Sequence, residues 1–302
     1  MTEKIKITFL GTSDAIPSAR RNHTSIFLNY VQENILIDCG EGTQRQIRKA
    51  KLNPCKLTRI LITHWHGDHV LGIPGLLQTL ALSGYNKILY IYGPRGTKQY
   101  IEEIMKIFKF VGKYEIKVEE IISKGKFYET SDFYLEAEQM EHGTPANAYN
   151  FVIKDKIRID KKKLGKLKLP EGPHLQQLKQ GKDISYQGKK YKSKELTYFE
   201  EGKKISIVLD TAMNSRIEGF VKNAELFICE SSFGSELEKE ARERMHMSVN
   251  QTASVAKKAK VKKLILTHIS SRYEKNLNQI LSEAKKIFKE SYLVKDLDVI
   301  EI

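Results

Sequence analysis

Four side chains that can bind a metal ion stand within six consecutive positions of this sequence. Residues 62–69 read ITHWHGDH, which contains His64, His66, Asp68 and His69. A lone histidine is most often a structural residue with one hydrogen-bond partner, but three of the chain's eight histidines beside an aspartate do not fit that description. Imidazole nitrogens with a carboxylate suit zinc, with manganese or iron as alternatives. The stretch therefore predicts a metal site.

The spacing within the stretch indicates two ions rather than one. Residues two apart in an extended chain share a face, so His64 and His66 can reach the same ion. Asp68 and His69 are adjacent, and adjacent side chains point in different directions. One tetrahedral ion could hardly collect all four side chains from so short a loop, whereas two neighbouring ions could. Each ion would still lack at least one ligand.

The missing ligands are expected where other apolar strands end, because α/β folds assemble their sites there. His142 follows FYLEAEQME, Asp210 follows ISIVL, and His268 follows LILT. A carboxylate can bridge two cations, and Asp210 is the bridging candidate. The predicted sets, with Asp210 shared, are His64, His66 and His142 for one ion and Asp68, His69 and His268 for the other. Three ligands and a bridge leave each ion a position for water, which is typical of a catalytic site.

The composition describes a globular chain of 302 residues, long enough for one large domain or two small ones. Its 40% hydrophobic and 29% charged content fits neither a disordered nor a membrane protein. No apolar stretch approaches the roughly 20 residues of a membrane helix. The three cysteines (Cys39, Cys55 and Cys229) are odd in number and widely spaced. They argue against a disulfide framework and predict a reducing, cytoplasmic setting.

The net charge of +14 favours a polyanionic partner, although a lysine-rich solvated surface explains the total equally well. The distribution of the charge is more informative. Residues 154–204 contain 16 Lys or Arg against 7 Asp or Glu, a net of +9. One sixth of the chain thus holds nearly two thirds of the excess charge, which indicates a localised basic patch.

The elements that must position these residues alternate between strands and helices. The predicted strands are KIKITFLG, SIFLNYVQENILIDCG, RILIT, KILYIYG, YEIKVEEI, FYLEAEQMEH, KISIVLD, ELFICE and KLILTHIS. The predicted helices are residues 43–51, residues 73–83, RGTKQYIEEIMKIFKFV with Thr97 as N-cap, SVNQTASVAKKAK with Ser248 and Gln251 as a capping box, and about 274–290. Gly67, Gly72 and Pro74 predict a loop after RILIT. The alternation predicts an α/β protein.

RILITH (59–64) and KLILTH (263–268) show a weak internal sequence similarity, which we call the echo. Buried strands often resemble one another, so the similarity alone does not prove a repeat. If the echo is a true repeat, two similar halves face each other, and His64 and His268 approach one site from opposite sheets.

The HWHGDH stretch, followed by isolated His, Asp and His in that order, resembles the metallo-β-lactamase superfamily. The resemblance implies an αββα sandwich built from two similar halves, with a dinuclear metal site at the sheet edges. It is specific for the fold and not for the substrate, because the superfamily includes thioesterases, lactamases, oxidoreductases and nucleases.

Further blocks resemble the ribonuclease Z family over nearly the whole chain. They are FLGTSDAIPSARRNHTSI, DCGEGTQRQ, THWHGDHVLGIPGLLQT, IYGPRG, EHGTPANAYNF, GPHLQQLKQG, VLDTAMN and THISSRY. The resemblance implies a zinc-dependent endonuclease, with two zinc ions per subunit, that removes the 3′ trailer from precursor tRNA. The products would be a 3′-hydroxyl on the tRNA and a 5′-phosphate on the trailer.

The same resemblance implies how the chain is organised. Residues 1–302 would be a single domain, with residues 153–204 inserted as a protruding basic arm that grips tRNA away from the active site. Gly172 and Pro173 would be the motif of that arm. The arm coincides with the basic patch found from the charge distribution. Members of the family are commonly homodimers in which one subunit's arm serves the other's site.

Roles for individual residues also follow from the resemblance. Asp68 would orient or deprotonate the nucleophile besides binding a metal ion, and His246 would protonate or stabilise the departing 3′-oxygen. Independently of the resemblance, Arg272 and Tyr273 come just after His268 in the sequence and are therefore expected to contact phosphate.

Two blocks depart from the family pattern. The family loop PxKxRN is here PSARRN, which keeps Arg21 and Asn22 as expected substrate contacts but has Ala19 at the lysine position. The response to a CCA sequence is therefore left open. The family block HEAT is here CESS, which keeps only Glu230.

Two other functions fit the metal stretch. One is a hydrolase of the same fold acting on a small phosphodiester or ester, which the basic insertion with its Gly-Pro motif disfavours. The other is a non-catalytic RNA-binding relative, which seven intact ligand positions disfavour.

Overall fold

A computed structural model of the chain describes residues 3–109, 112–170 and 172–302. Its strands are β1 (Ile5–Gly11), β2 (Ser25–Tyr30), β3 (Glu33–Ile37), β4 (Arg59–Leu61), β5 (Leu89–Gly93), β6 (Ile116–Glu120), β7 (Gly125–Glu129), β8 (Phe133–Met140), β9 (Ala146–Ile153), β10 (Lys156–Ile159), β11 (Ile184–Tyr186), β12 (Lys189–Tyr191), β13 (Thr197–Glu200), β14 (Lys204–Val208), β15 (Leu226–Glu230), β16 (Leu264–Thr267), β17 (Ser291–Leu293) and β18 (Val299–Glu301).

Its helices are α1 (Thr43–Lys49), α2 (Gly67–Val70), α3 (Ile73–Leu82), α4 (Thr97–Ile107), α5 (Lys161–Lys166), α6 (Leu175–Lys179), α7 (Ser193–Leu196), α8 (Ser215–Val221), α9 (Glu238–Glu243), α10 (Val249–Lys258) and α11 (Leu277–Ile287). Short 3-10 helices cover Pro54–Lys56, Ser235–Leu237 and Ser271–Tyr273. Among the described residues, no helix has both the length and the apolar character that a membrane span requires.

Two seven-stranded sheets pack face to face, in the orders β18-β1-β2-β3-β4-β5-β6 and β17-β16-β15-β14-β9-β8-β7. Side chains such as Phe9, Tyr149 and Ile228 fill the space between them. Helices α1, α3 and α4 cover the outer face of the first sheet, and α8, α10 and α11 cover that of the second. Central strands such as β3, β15 and β16 are buried on both faces, so each is a nearly continuous apolar run in the sequence. The predicted αββα sandwich is confirmed.

The two sheets repeat one order of strand directions: three antiparallel pairs and then three parallel pairs. By this order β3 corresponds to β14, β4 to β15 and β5 to β16. The echo RILITH belongs to β4 and KLILTH to β16, which do not correspond. His64 and His268 do approach from opposite sheets, but the strand equivalence is wrong, because buried parallel strands share a composition whatever their place.

Several local predictions are corrected by the structure. The segment 25–40, predicted as one strand, is a hairpin of β2 and β3 that turns at Val31, where φ is 54°. Gly67 begins the short helix α2 instead of a loop. The N-cap of α4 is Gly96, while Thr97 lies inside the helix and its hydroxyl donates to the Pro94 carbonyl.

Of the remaining local features, one prediction is confirmed, one falls partly outside the described residues, and two strands were not predicted. The capping box of Ser248 and Gln251 is confirmed. The end of the segment predicted as α4, Phe110 and Val111, lies outside the described residues. Strands β7 and β9 were not predicted from the sequence.

The basic insertion leaves the body after β9 and returns at β14, which are antiparallel neighbours. Strands β10 and β13 pair at its base. A separate small core holds α5, α6 and α7 together, made of Leu164, Leu169, Leu175, Leu178, Ile184 and Leu196. The segment is thus a compact unit attached at one place.

Candidate metal centre

The ends of four strands carry the predicted metal ligands to one place in the sandwich. β4 leads into the HWHGDH stretch, β8 precedes His142, β14 precedes Asp210, and β16 precedes His268. The side chains fall into two groups, within each of which the ligand atoms lie within 4.8 Å of one another: His64, His66, His142 and Asp210, and Asp68, His69, His268 and Asp210. These are the two sets that the sequence predicts.

Asp210 lies between the groups and turns one oxygen towards each. Its Oδ2 is 3.6 Å from Nε2 of His64 and 3.8 Å from Nε2 of His142. Its Oδ1 is 3.2 Å from Nε2 of His268 and 3.4 Å from Nε2 of His69. Among the described residues, neither Oδ1 of Asp210 nor Nε2 of His64 has a hydrogen-bond partner, although both are buried. Buried polar atoms are costly without a partner, and a cation between them would supply one.

Ring nitrogens within each group stand close to the separation that a shared metal ion requires. Nδ1 of His66 is 3.1 Å from Nε2 of His142, and Nε2 of His69 is 3.3 Å from Nε2 of His268. Ligands at roughly 2.0–2.2 Å from a tetrahedral zinc ion stand roughly 3.3–3.6 Å apart. The donor set and its spacing fit a pair of metal ions.

Asp38 orients the ligands of the first sheet from behind. Its Oδ2 accepts from Nδ1 of His69 at 2.6 Å and from the Thr63 hydroxyl at 2.7 Å. The Thr63 hydroxyl can then accept from Nδ1 of His64, 3.1 Å away. Both histidines are thereby held with Nε2 free to bind a cation. Asp38 is fully buried and has a φ of 56°, a conformation that persists only where the surroundings enforce it.

Glu230 and Ser232 orient a predicted ligand of the second sheet, His268, in the same way. Nδ1 of His268 donates to the Ser232 hydroxyl at 2.9 Å, and that hydroxyl donates to Glu230 at 2.7 Å. His268 has a φ of 52°. Nδ1 of His142 donates to the Met245 carbonyl at 3.0 Å. These contacts again turn Nε2 towards the centre.

His246 stands beside the centre without belonging to either group of ligands. Its Nδ1 lies 3.0 Å from a Glu230 carboxylate oxygen, and its Nε2 lies 4.0 Å from Oδ2 of Asp210. Burial lowers the pKa of His246, but Glu230 and Asp210 outweigh it and raise that pKa to about 9. Its imidazole is therefore protonated at neutral pH.

The buried surroundings hold two of the predicted ligands, His64 and Asp210, in the protonation states that metal binding needs. Burial and the neighbouring His69 hold the pKa of His64 well below its usual range. Burial opposes ionisation of Asp210, but His268, His69 and His64 outweigh it and hold the pKa of that carboxyl well below its usual range. A neutral imidazole and an ionised carboxylate are the forms that bind a cation.

Arg21, a predicted substrate contact, is buried beside the metal centre. Its residue is 5% exposed, and its guanidinium donates to the hydroxyl and carbonyl of Thr12 and, at 3.2 Å, to the carbonyl of Ile269. Arg21 thus holds the backbone beside His268 in this structure, and its contact with RNA stays a prediction. A loop motif fixes the residue type but not the direction of its side chain.

The other predicted phosphate contacts near the centre already have partners. The side-chain amide of Asn22 donates to the Glu41 carbonyl at 2.6 Å. Arg272 lies 3.4 Å from Glu240, with its guanidinium 5.0 Å from the centre of the Phe233 ring. The Tyr273 hydroxyl donates to Glu236 at 2.7 Å and accepts from the Gly234 amide. Contacts of these residues with RNA stay a prediction.

Gly172 and Pro173 lie in the insertion, on the wall of a cavity of about 680 Å³. Lys162, Lys179 and Tyr198 line the same cavity. No metal ligand lines it, so the motif belongs to a surface separate from the metal centre.

Three residues of the centre were missed as site residues: Asp38, Glu230 and Ser232. A signal for two of them was present. Asp38 closes the apolar run NILI and Glu230 closes LFIC, as Asp210 closes ISIVL. Both acids therefore stand at the end of an apolar strand, where the other ligands are found. Ser232 carries no such signal.

Comparisons with known proteins agree with this geometry. The chain is 37% identical to ribonuclease Z of Oceanobacillus iheyensis, over 99% of this chain and 100% of that protein. It is 36% identical to ribonuclease Z of Methanosarcina acetivorans, over 99% and 98%. Among solved structures, the short form of human tRNase Z matches with a TM-score of 0.72 and 25% identity, over 98% of each chain.

Two further matches bear on the fold and on the first half of the chain. The metallo-β-lactamase fold protein YhfI of Bacillus subtilis has a TM-score of 0.72 at 18% identity, over all of both chains, which shows the fold alone. The family model described as anti-Pycsar protein Apyc1 matches residues 5–161.

Proposed function

This chain belongs to the ribonuclease Z family over 99% of its length. Residues 5–161 also belong to the Apyc1 family. From the first membership we propose how the metal centre cleaves precursor tRNA. The reaction is removal of the 3′ trailer by phosphodiester hydrolysis. The observation that carries the proposal is the convergence of seven side chains on two adjoining groups that share Asp210.

The proposed cofactor is a pair of zinc ions per subunit, with manganese or iron as alternatives. The proposed ligands are His64, His66 and His142 for one ion, Asp68, His69 and His268 for the other, and Asp210 for both. When bound, such a pair neutralises phosphate charge and lowers the pKa of water to about 7.

Asp68 is the proposed base that orients the attacking water and takes its proton. Its Oδ2 lies 3.3 Å from Nε2 of His69 and 3.4 Å from Nε2 of His268. The side chain of Asp68 is 9% exposed, so part of it faces solvent. The proton of the water moves to this carboxylate as the water oxygen attacks phosphorus.

His246 is the proposed acid. With Nδ1 held by Glu230, its Nε2 can give a proton to the departing 3′-oxygen of the tRNA. The bond from phosphorus to that oxygen breaks, the tRNA keeps a 3′-hydroxyl, and the phosphate stays on the trailer.

The insertion 153–204 of the single domain 1–302 is the proposed tRNA-binding arm. Its net charge of +9 between residues 154 and 204 suits phosphate contacts, which carry no sequence information and weaken with salt. Double-stranded RNA is recognised mostly by shape. The proposed surface for that shape includes Gly172 and Pro173, which line the cavity of about 680 Å³ in the insertion. Deletion of residues 156–200 is expected to abolish tRNA processing while hydrolysis of a small phosphodiester survives. Equal loss of both activities contradicts this division.

Two expectations accompany the proposal. The enzyme is expected to be a homodimer, which light scattering measures directly. A cytoplasmic location is supported by the cysteines, because Cys39, Cys55 and Cys229 are all unpaired.

The test of the proposal is incubation of the zinc-loaded protein with a 5′-labelled precursor tRNA, followed by mapping of the cut. The expected product ends at the last nucleotide before the trailer and carries a 3′-hydroxyl. Asp68→Ala and a chelator should each abolish it. Hydrolysis of a cyclic nucleotide without any cleavage of the precursor favours the small-phosphodiester hydrolase instead.

A further inference from the structure

A second cavity adjoins the metal centre on the side of His142. Its volume is about 460 Å³, within the roughly 300–1,000 Å³ typical of small-ligand sites. We name it the Arg95 cavity and define it by six of its lining residues: Arg95, Ile122, Met140, His142, Pro145 and Arg216. Nε2 of His142 is 3.1 Å from Nδ1 of His66, so the wall of this cavity is also part of the first ligand group.

The lining combines apolar surface with two exposed cations. Met140 is buried, whereas Ile122 is 53% exposed and offers an apolar face. Arg216 already has a partner, since its Nη2 lies 2.7 Å from a Glu141 oxygen. Arg95 is exposed, and none of the described residues forms an ion pair or side-chain hydrogen bond with it. A planar, unpaired guanidinium beside apolar side chains is suited to a phosphate and to the face of a nucleobase.

The position of His246 indicates which nucleotide the cavity receives. His246 does not line the cavity, and the rings of His142 and His246 are 5.2 Å apart. His142 therefore separates the cavity from the proposed acid, on whose side the 3′-oxygen of the tRNA departs. The phosphate stays with the trailer, so the trailer must leave the centre away from His246.

We propose that the Arg95 cavity binds the first nucleotide of the 3′ trailer, with the Arg95 guanidinium on its phosphate backbone. The inference rests on the proposed function and assigns a substrate subsite within it. It makes Arg95 a determinant of how strongly trailer-bearing RNA is distinguished from mature tRNA.

The test compares Arg95→Ala with the wild-type enzyme on precursor tRNA and on mature tRNA lacking a trailer. Arg95→Ala should raise KM for the precursor about tenfold, the size of one lost charge-assisted contact. The slope of log KM against log salt should fall by about 0.7, because one contact to a single strand is removed. The inhibition constant of mature tRNA should change less than twofold, since mature tRNA has no nucleotide to place in the cavity.

Two further variants exclude a general effect of charge or folding. Lys98→Ala removes an exposed cation in the first turn of α4, three residues after Arg95 and outside this cavity, and should leave KM and the salt slope unchanged. Arg95→Lys retains the charge and should restore the salt slope of the wild-type enzyme.

Three results overturn the inference. An unchanged KM in Arg95→Ala means that the cavity holds no trailer nucleotide. An equal rise in the inhibition constant of mature tRNA assigns the cavity to the tRNA side of the cut. Failure of the wild-type enzyme to cut precursor tRNA removes the proposed function itself, whereas correct cutting with an unchanged KM in the variant removes only the subsite.

Discussion

Asp38 and Asp210 follow corresponding strands of the two sheets, β3 and β14. Asp210 faces the two groups of metal ligands, whereas Asp38 lies behind the ligands. Asp210 turns both oxygens to the ligand groups, whereas Asp38 holds His69 and Thr63 from behind. The neighbouring strands show the reverse. β4 leads to His64 in the first group, while its counterpart β15 ends at Glu230, which supports His246 and Ser232.

The packing of the HWHGDH stretch explains this exchange of roles. In the first sheet the stretch lies directly over the end of β3. A Cβ on Gly40 would come within 2.4 Å of the Asp68 carbonyl oxygen, so only glycine allows that approach. The stretch therefore covers Asp38. The place of a strand in the sheet thus determines where its terminal side chain lies. The loop that packs over that side chain determines whether it can bind the metal.

The largest expected effect is that of Asp210→Ala. Removal of the carboxylate that both groups share should lower kcat/KM on precursor tRNA by more than about 10³-fold and release metal from both positions. Metal content by mass spectrometry and cleavage rate are the measurements. Glu218→Ala, an exposed acid on α8, is the control and should change neither. An Asp210→Ala enzyme that keeps two ions rules out the shared role.

Asp38→Asn should have a smaller effect, because it acts through His69. Loss of the charge behind a metal-binding histidine typically weakens metal affinity or activity by about 10–100-fold. Competition with a chromophoric chelator measures the affinity, and circular dichroism verifies the fold. A loss as severe as that of Asp210→Ala would place Asp38 among the direct ligands, and the contrast between the halves would fail.

Glu230→Gln tests the supporting residue of the other sheet through pH dependence. Despite burial, Glu230 helps raise the pKa of His246 to about 9, so the imidazole is protonated below that pH and deprotonates as pH rises through it. Activity that needs the proton should fall above about pH 9 in the wild-type enzyme. In Glu230→Gln that fall should begin at lower pH, by about one pH unit or more. An unshifted profile of kcat/KM contradicts the role of His246 as an acid.

Gly40→Ala should have the smallest effect on the centre among these changes. The added methyl group must push the HWHGDH stretch outwards, with a loss of about 1–3 kcal/mol in the free energy of unfolding and weaker metal binding. Gly219→Ala in α8 is the matched control, because a Cβ there meets nothing within 4 Å. It should stabilise the protein by about 0.5–1 kcal/mol. Thermal unfolding distinguishes the two variants.

Much of the centre could be predicted because its ligands are polar residues at the ends of apolar strands. That pattern selected His142, Asp210 and His268 along with the HWHGDH stretch. The same pattern was present for Asp38 and Glu230, but no local feature distinguishes a ligand from the residue that supports it. The distinction depends on which loop packs over the end of the strand, and that is a property of the tertiary structure.

Two features could not be predicted, for a common physical reason. The loop motif indicates Arg21 as a substrate contact but not the direction of its side chain, and its guanidinium donates to the carbonyls of Thr12 and Ile269. β4 and β16 were matched because both are apolar, although burial on two faces makes such strands alike in composition. Sequence patterns report burial and residue type, and they report neither side-chain direction nor strand order.

The most direct test of the central claim is a crystal structure of the zinc-loaded protein with anomalous data collected at the zinc edge. Two peaks are predicted: one between the ring nitrogens of His64, His66 and His142, and one between Asp68, His69 and His268, with one oxygen of Asp210 beside each. A single peak, or peaks that leave Asp210 without a metal, would contradict the shared dinuclear centre.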